Sequence, residues 1–187
     1  KARLEMLVDP RAGDRLWVQG SANLTFSMDK TGLPTLSGRY NLNDGGYKLT
    51  LFGLTQREFS LRDGSFILWT GEPMGARLNI DAAYEVKTSA YNLIIDQTNN
   101  VSGSDQKQYR QKLPFTVVLM IRGEIETPEI TFDINLPPDK RGIYNGVVQS
   151  KLNQLSTPGN ESDLNKQVLS LLAFKQFMPQ NPLEMGG

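Results

Sequence analysis

Polar and apolar residues alternate without a break over residues 21–28, with Ala22, Leu24, Phe26 and Met28 on one face and Ser21, Asn23, Thr25 and Ser27 on the other. A period of two predicts a strand wetted on one side. The pattern returns over 35–43, where Leu36, Gly38, Tyr40 and Leu42 share a face, and over 47–52, with Tyr47, Leu49 and Leu51. Asp44-Gly45-Gly46 between them reads as a tight hairpin, because such a turn needs residues that tolerate positive φ. By the same logic Asp63-Gly64 reads as a hairpin that makes 58–62 and 65–70 antiparallel neighbours.

The longest alternation, 76–87, places Ala76, Leu78, Ile80, Ala82, Tyr84 and Val86 on one face. At about 3.3 Å per residue such a strand exceeds roughly 30 Å. Further strands are marked by Leu113, Phe115, Val117, Leu119 and Ile121, and by Ile130, Phe132, Ile134 and Leu136 opposite Thr131, Asp133 and Asn135. The polar stretch 97–112, with Asn99-Asn100 and Ser102-Gly103-Ser104, reads as a loop. Pro137-Pro138 stops the last strand, since proline lacks the donor that a ladder requires. The period then changes. Tyr144, Val148, Leu152 and Leu155 recur at helical steps, as do Leu164, Val168, Leu171 and Leu172, with Ser162 or Asp163 as N-cap and Pro179 and Pro182 closing the region. The fold class is mainly β: an antiparallel meander ending in two short amphipathic helices joined through Pro158-Gly159. A sheet must hide its apolar face. It either folds on itself around a packed core or curls into an open trough whose apolar stripe takes an apolar ligand.

Charge and chemistry narrow the function. Lys and Arg total 20, as do Asp and Glu, for a net charge of +0, so no global field attracts nucleic acid. The chain has no His and no Cys, which removes Ser-His-Asp catalysis, thiolate chemistry, disulfides and zinc sites built on imidazole or thiolate. The pairs Glu124/Glu126 and Asp81/Glu85 have the composition of a glycosidase acid and base, yet they fall on polar strand faces and read as solvated charge. No GxxxxGK[ST] phosphate loop is present. Trp17, Phe26, Tyr40, Tyr47, Phe66, Trp69, Tyr84, Phe115 and Phe132 read as core rather than as a base-stacking platform, since the polar faces mix both signs of charge. No catalytic residue, metal ligand or cofactor is expected. The longest apolar run, 117–121, is far short of the roughly 20 residues of a membrane-spanning helix. Lys1-Ala2-Arg3-Leu4-Glu5 lacks both an initiator Met and a signal-peptide core, so the chain reads as a piece of something longer.

The segments Leu36-Ser37-Gly38-Arg39-Tyr40 through Gly46-Tyr47, then Phe59, Gly64-Ser65-Phe66-Ile67-Leu68-Trp69-Thr70-Gly71-Glu72-Pro73 and Leu78-Asn79-Ile80-Asp81-Ala82-Ala83-Tyr84, resemble the C-terminal domain of TamB. So do Pro128-Glu129-Ile130-Thr131-Phe132-Asp133-Ile134-Asn135-Leu136-Pro137 and the helical Leu164-Asn165-Lys166-Gln167-Val168-Leu169-Ser170-Leu171-Leu172. The resemblance covers nearly the whole chain, in order, and is nearest to forms from Bacteroidetes-type bacteria. It implies a periplasmic protein of the AsmA-like, bridge-type lipid-transfer group. In that group the full-length form is anchored in the inner membrane, a long β-taco carries phospholipid acyl chains in a groove, and the C-terminal end meets an outer-membrane TamA-like barrel. An alternative that the family also implies is help in outer-membrane protein or autotransporter assembly and protein secretion, without conduction of lipid.

On this reading residues 1–136 form the β-taco groove segment and 137–187 a helical cap and linker. The alternation assigns Ala22, Leu24, Phe26, Leu36, Tyr40, Leu49, Leu78, Ile80, Tyr84, Phe115, Val117, Leu119, Phe132 and Ile134 to one concave apolar lining. Gly38 on that face leaves room for an acyl chain or marks a strand bend. Ile130, Thr131, Asp133 and Leu136, on a final strand with no later strand to pair with, are the expected docking edge for the barrel. The helices within 142–178 are expected to cap the sheet, to join that contact, or both.

Overall fold

A computed structural model of the chain describes residues 2–9, 11–97 and 107–179. The strands are β1 (Ala2–Asp9), β2 (Asp14–Met28), β3 (Pro34–Leu51), β4 (Thr55–Leu61), β5 (Phe66–Gly71), β6 (Arg77–Ser89), β7 (Lys112–Glu124) and β8 (Thr127–Asn135). They form one antiparallel sheet in the order β1-β2-β3-β4-β6-β7-β8, with β5 between β3 and β6. The helices are α1 (Tyr91–Ile94), α2 (Val147–Leu155) and α3 (Glu161–Phe174). The chain is thus mainly β with helices towards its C-terminus, as its periodicity predicts. Within the expected 97–112 loop, residues 98–106 lie outside the described residues, as does Pro182.

Two hairpins expected from turn residues are absent. Asp44-Gly45-Gly46 lies inside β3, which runs unbroken from Pro34 to Leu51. Gln19 pairs Asp44 while Gly20 pairs Leu42, so Asn43 is an extra residue. A bulge of this kind flips the side-chain parity as a turn does, which is why the inward face moves from Tyr40 and Leu42 to Tyr47 and Leu51. The glycines serve close approach: a Cβ on Gly46 would sit 2.8 Å from the Trp17 Nε1 atom. Asp63-Gly64 likewise joins no hairpin. Residues 46–51 of β3 pair β4 and residues 36–41 pair β5, so β4 and β5 follow one another along the same line.

Ser65 repairs the ladder at that break. Its buried hydroxyl donates to the Arg62 carbonyl at 2.8 Å and accepts from the Asp81 N–H at 3.0 Å. Replacing Ser65 with Ala leaves a buried donor unpaired and is expected to cost about 1–3 kcal/mol. The check is the denaturant midpoint, which falls while the m-value stays constant.

The chain divides into two compact units, residues 1–84 with 118–131 and residues 85–117 with 132–187. The first consists of strands alone, yet Val18, Phe59, Ile67 and Ile80 are fully buried in it. The second unit packs α1, α2 and α3 with strand ends. Phe115 and Phe177 meet edge to face with centroids 4.8 Å apart, and Leu152, Val168, Leu171 and Leu172 are buried. The buried Lys151 ammonium pairs with Asp96 at 3.1 Å.

Two helix boundaries differ from the period. Tyr144 precedes α2: it and Asn145 have φ of 54° and 57°, which no right-handed helix continues, and the Tyr144 hydroxyl donates to the Gln108 carbonyl. Asn160, not Ser162 or Asp163, is the N-cap of α3; its side chain donates to the Gln154 carbonyl. Glu161 accepts the Gly159 N–H at 3.0 Å, and that bond lowers its pKa from the ordinary carboxylate value.

Candidate functional site

The inward face of β2 carries Leu16, Val18, Gly20, Ala22, Leu24, Phe26 and Met28. From Asp14 to Gly20 its inward positions are buried; from Ala22 to Met28 the same face is exposed, with Phe26 64% accessible. On the neighbouring strands Ala22 pairs Tyr40, which pairs Ile67, and Leu24 pairs Gly38, which pairs Trp69. Phe26 pairs Leu36. An apolar stripe therefore runs from a covered stretch to a bare one on three adjacent strands of the first unit.

At the covered end, the two ends of the strand order come together within that unit. A cavity of about 220 Å³ is lined by Met6, Leu7 and Leu16 from β1 and β2 and by Leu78, Ile121, Ile125, Glu126 and Pro128 from β6 to β8. Strands at opposite ends of the order face one cavity, so the sheet curls within this unit. The volume lies below the roughly 300 Å³ at the small end of whole-ligand pockets.

Of the residues assigned to a groove, Tyr40, Leu78, Ile80 and Leu119 are buried in the first unit, Leu36, Leu49 and Tyr84 are half-buried, and Ala22, Leu24 and Phe26 are exposed. Phe115, Val117 and Ile134 are buried and Phe132 half-buried in the second. Sequence reasoning missed Met6, Leu7, Ile125 and Pro128. Ile125 and Pro128 sit at the β7–β8 connection, where no alternation marks a face. Gly38 has φ +129°, and a Cβ there would stand 2.0 Å from the Asn23 carbonyl oxygen, so the close approach of β2 requires glycine at this position.

The expected docking edge divides between the units. Ile130 and Thr131 are exposed in the first, on a strand that ends the sheet order among the described residues. In the second, Leu136 is buried and Asp133 accepts the hydroxyl of Ser156, the C-cap of α2, at 2.6 Å.

The carboxylates have structural partners. Asp81 pairs with Arg122, whose guanidinium also donates to the Ile80 carbonyl at 2.8 Å, and Glu85 accepts the Thr116 hydroxyl at 2.7 Å. Glu124 and Glu126 are exposed. Among the described residues no cluster of acidic side chains has the arrangement to hold a metal ion, and no helix is long and apolar enough to cross a membrane.

The model of the TamB C-terminal domain matches residues 1–186. The chain belongs to the TamB C-terminal domain family. TamB domains are non-enzymatic parts of the translocation and assembly module, associated with the bacterial envelope and working with TamA-like partners. A curled sheet carrying an apolar stripe accords with TamB membership. No curated protein matches the chain.

Proposed function

We propose that the apolar stripe of the first unit holds acyl chains, and that the protein takes part in phospholipid transport between the inner and outer membranes as a fragment of a periplasmic bridge anchored in the inner membrane. The observation that carries this reading is the face of β2, covered from Asp14 to Gly20 and bare from Ala22 to Met28. A continuous apolar lining that is only partly covered favours an apolar occupant for the rest. Acyl chains need no hydrogen bonds from it, and each buried methylene contributes about 0.8 kcal/mol. Docking to a TamA-like barrel is assigned to β8 around Ile130 and Thr131, by strand addition to the last strand in the sheet order among the described residues.

That edge also supports a second reading, in which the domain assists outer-membrane protein assembly without conducting lipid. Native mass spectrometry separates the two. The chain released gently from membranes is expected to retain phospholipid, and the double variant Leu24→Gln/Phe26→Gln to lose most of it while keeping its melting temperature, since both side chains are exposed. A lipid-free wild-type chain, or equal occupancy in the variant, would leave only the assembly reading.

A further inference from the structure

The link between β8 and α2 carries three consecutive left-handed residues. Tyr144, Asn145 and Gly146 have φ of 54°, 57° and 76°. Glycine takes that conformation freely and asparagine tolerates it, whereas tyrosine is strained in it. Such strain persists only where the surroundings hold it, and it collects at binding surfaces. Here the Tyr144 hydroxyl donates to the Gln108 carbonyl, and the Tyr109 and Tyr144 rings meet edge to face with centroids 4.8 Å apart. The link is thereby pinned to the turn 107–111 that leads into β7, a turn closed by the Gln111 N–H on the Gln108 carbonyl at 3.0 Å.

A cavity of about 620 Å³ lies between the two segments, within the second unit. That volume falls inside the roughly 300–1,000 Å³ of whole-ligand pockets. Gln108, Gln111 and Asn145 bring three primary amides to its lining, and Tyr109 and Tyr144 bring two phenol rings. Backbone-rich Gly142 and the aliphatic Ile143 complete the wall. Among the described residues, the side chains of Gln108, Tyr109, Gln111 and Asn145 hydrogen-bond to no protein group. No lining residue carries a charge. Lys107, Lys112 and Arg141 adjoin the lining residues in sequence without lining the cavity, and Arg110 stacks on Tyr91, 4.3 Å from its centroid.

A primary amide offers donors and an acceptor side by side, and a phenol both donates and accepts. Sugar hydroxyls do the same, in pairs on adjacent carbons, and the C–H face of a sugar ring suits an aromatic side chain that has an apolar body and a polar tip. Tyr, Asn and Gly are also the residues with which antibody loops meet polar surfaces, the rings for contact area and the amides for adaptable hydrogen bonds. An anion would need a cation in the wall, and an acyl chain a continuous apolar lining; this wall has neither. We infer that the cavity is a saccharide subsite, in which Gln108, Gln111 and Asn145 read the hydroxyls of an uncharged sugar ring that lies against Tyr109. The subsite is built from the second unit alone and does not depend on the stripe on β2.

Heteronuclear NMR of the chain tests it, because the side-chain amide signals of Gln108, Gln111 and Asn145 report on the cavity directly. Maltotriose, chitotriose and lactose are titrated to about 50 mM, enough to read a Kd in the millimolar range. At least one of them is expected to shift the three signals saturably. Gln111→Ala, at an exposed position, is expected to keep the melting temperature and to weaken that sugar about fivefold, as the loss of one hydrogen bond does. Tyr109→Ala, which removes the ring, is expected to weaken it about tenfold or more. Leu24→Gln/Phe26→Gln should bind the sugar as the wild-type chain does, which keeps this test apart from that of the acyl stripe. No saturable shift with any of the three sugars, equal affinity in Gln111→Ala, or saturation of the same signals by inorganic phosphate at lower concentration would each overturn the subsite; the last would point to the adjoining basic residues.

Discussion

A Leu119→Asp chain is expected not to fold. Leu119 lies in β7 within the first unit and is fully buried, with 0% of its surface accessible. Aspartate there loses the transfer energy of the leucine and places a carboxylate among apolar side chains without a partner, a combination that costs more than about 4 kcal/mol. Leu119→Met, of similar volume, is expected to cost less than about 1.5 kcal/mol. Circular dichroism and the denaturant midpoint of the two variants check the pair. A well-folded Leu119→Asp chain would mean that the position faces an open, wettable groove. The burial places Leu119 in the packed part of the lining, so an acyl-chain test belongs at Leu24 and Phe26, where a polar residue does not enter the core.

Gly38→Ala is expected to be the second most damaging change. Its φ of +129° is one that residues with a Cβ rarely adopt, and the added carbon would meet the Asn23 oxygen at 2.0 Å. Neither neighbour can yield alone, because Gly38 pairs Leu24 on β2 and Trp69 on β5. Backbone strain and overpacking of about 1–3 kcal/mol each apply at once, so a loss of about 3 kcal/mol or more is expected, read from the unfolding midpoint. An unchanged midpoint would show that the strands separate there at little cost.

Much of the fold is legible in the sequence because its strands alternate. The alternation over 76–87 is most of β6, the run from Leu113 to Ile121 lies in β7, and that from Ile130 to Leu136 reaches the end of β8. What escapes has physical reasons. β2 begins at Asp14 rather than Ser21, and Gly20, with no side chain, hides the continuity of Leu16 and Val18 with Ala22. Turn residues are local, so Asp63-Gly64 records a break in the chain without saying whether the next strand reverses. The parity change after Leu42 is satisfied equally by a hairpin and by the Asn43 bulge. For the site, the face of the stripe is written in β2 and β3, but its division into covered and bare lengths is not. That depends on the curl bringing Met6 and Leu7 to Ile121 and Ile125, residues more than a hundred positions apart.

The most direct test of an acyl-binding stripe compares adjacent positions on the two faces of one strand. Phe26 and Thr25 are both exposed, and side chains of neighbouring strand residues point to opposite sides. A photoreactive phenylalanine analogue at each position, irradiated with the chain in its native membrane environment, reports what lies against each face. Lipid adducts at position 26 and none at 25 are the expected result. Equal labelling at both positions, or protein adducts alone at 26, would contradict the acyl-binding stripe.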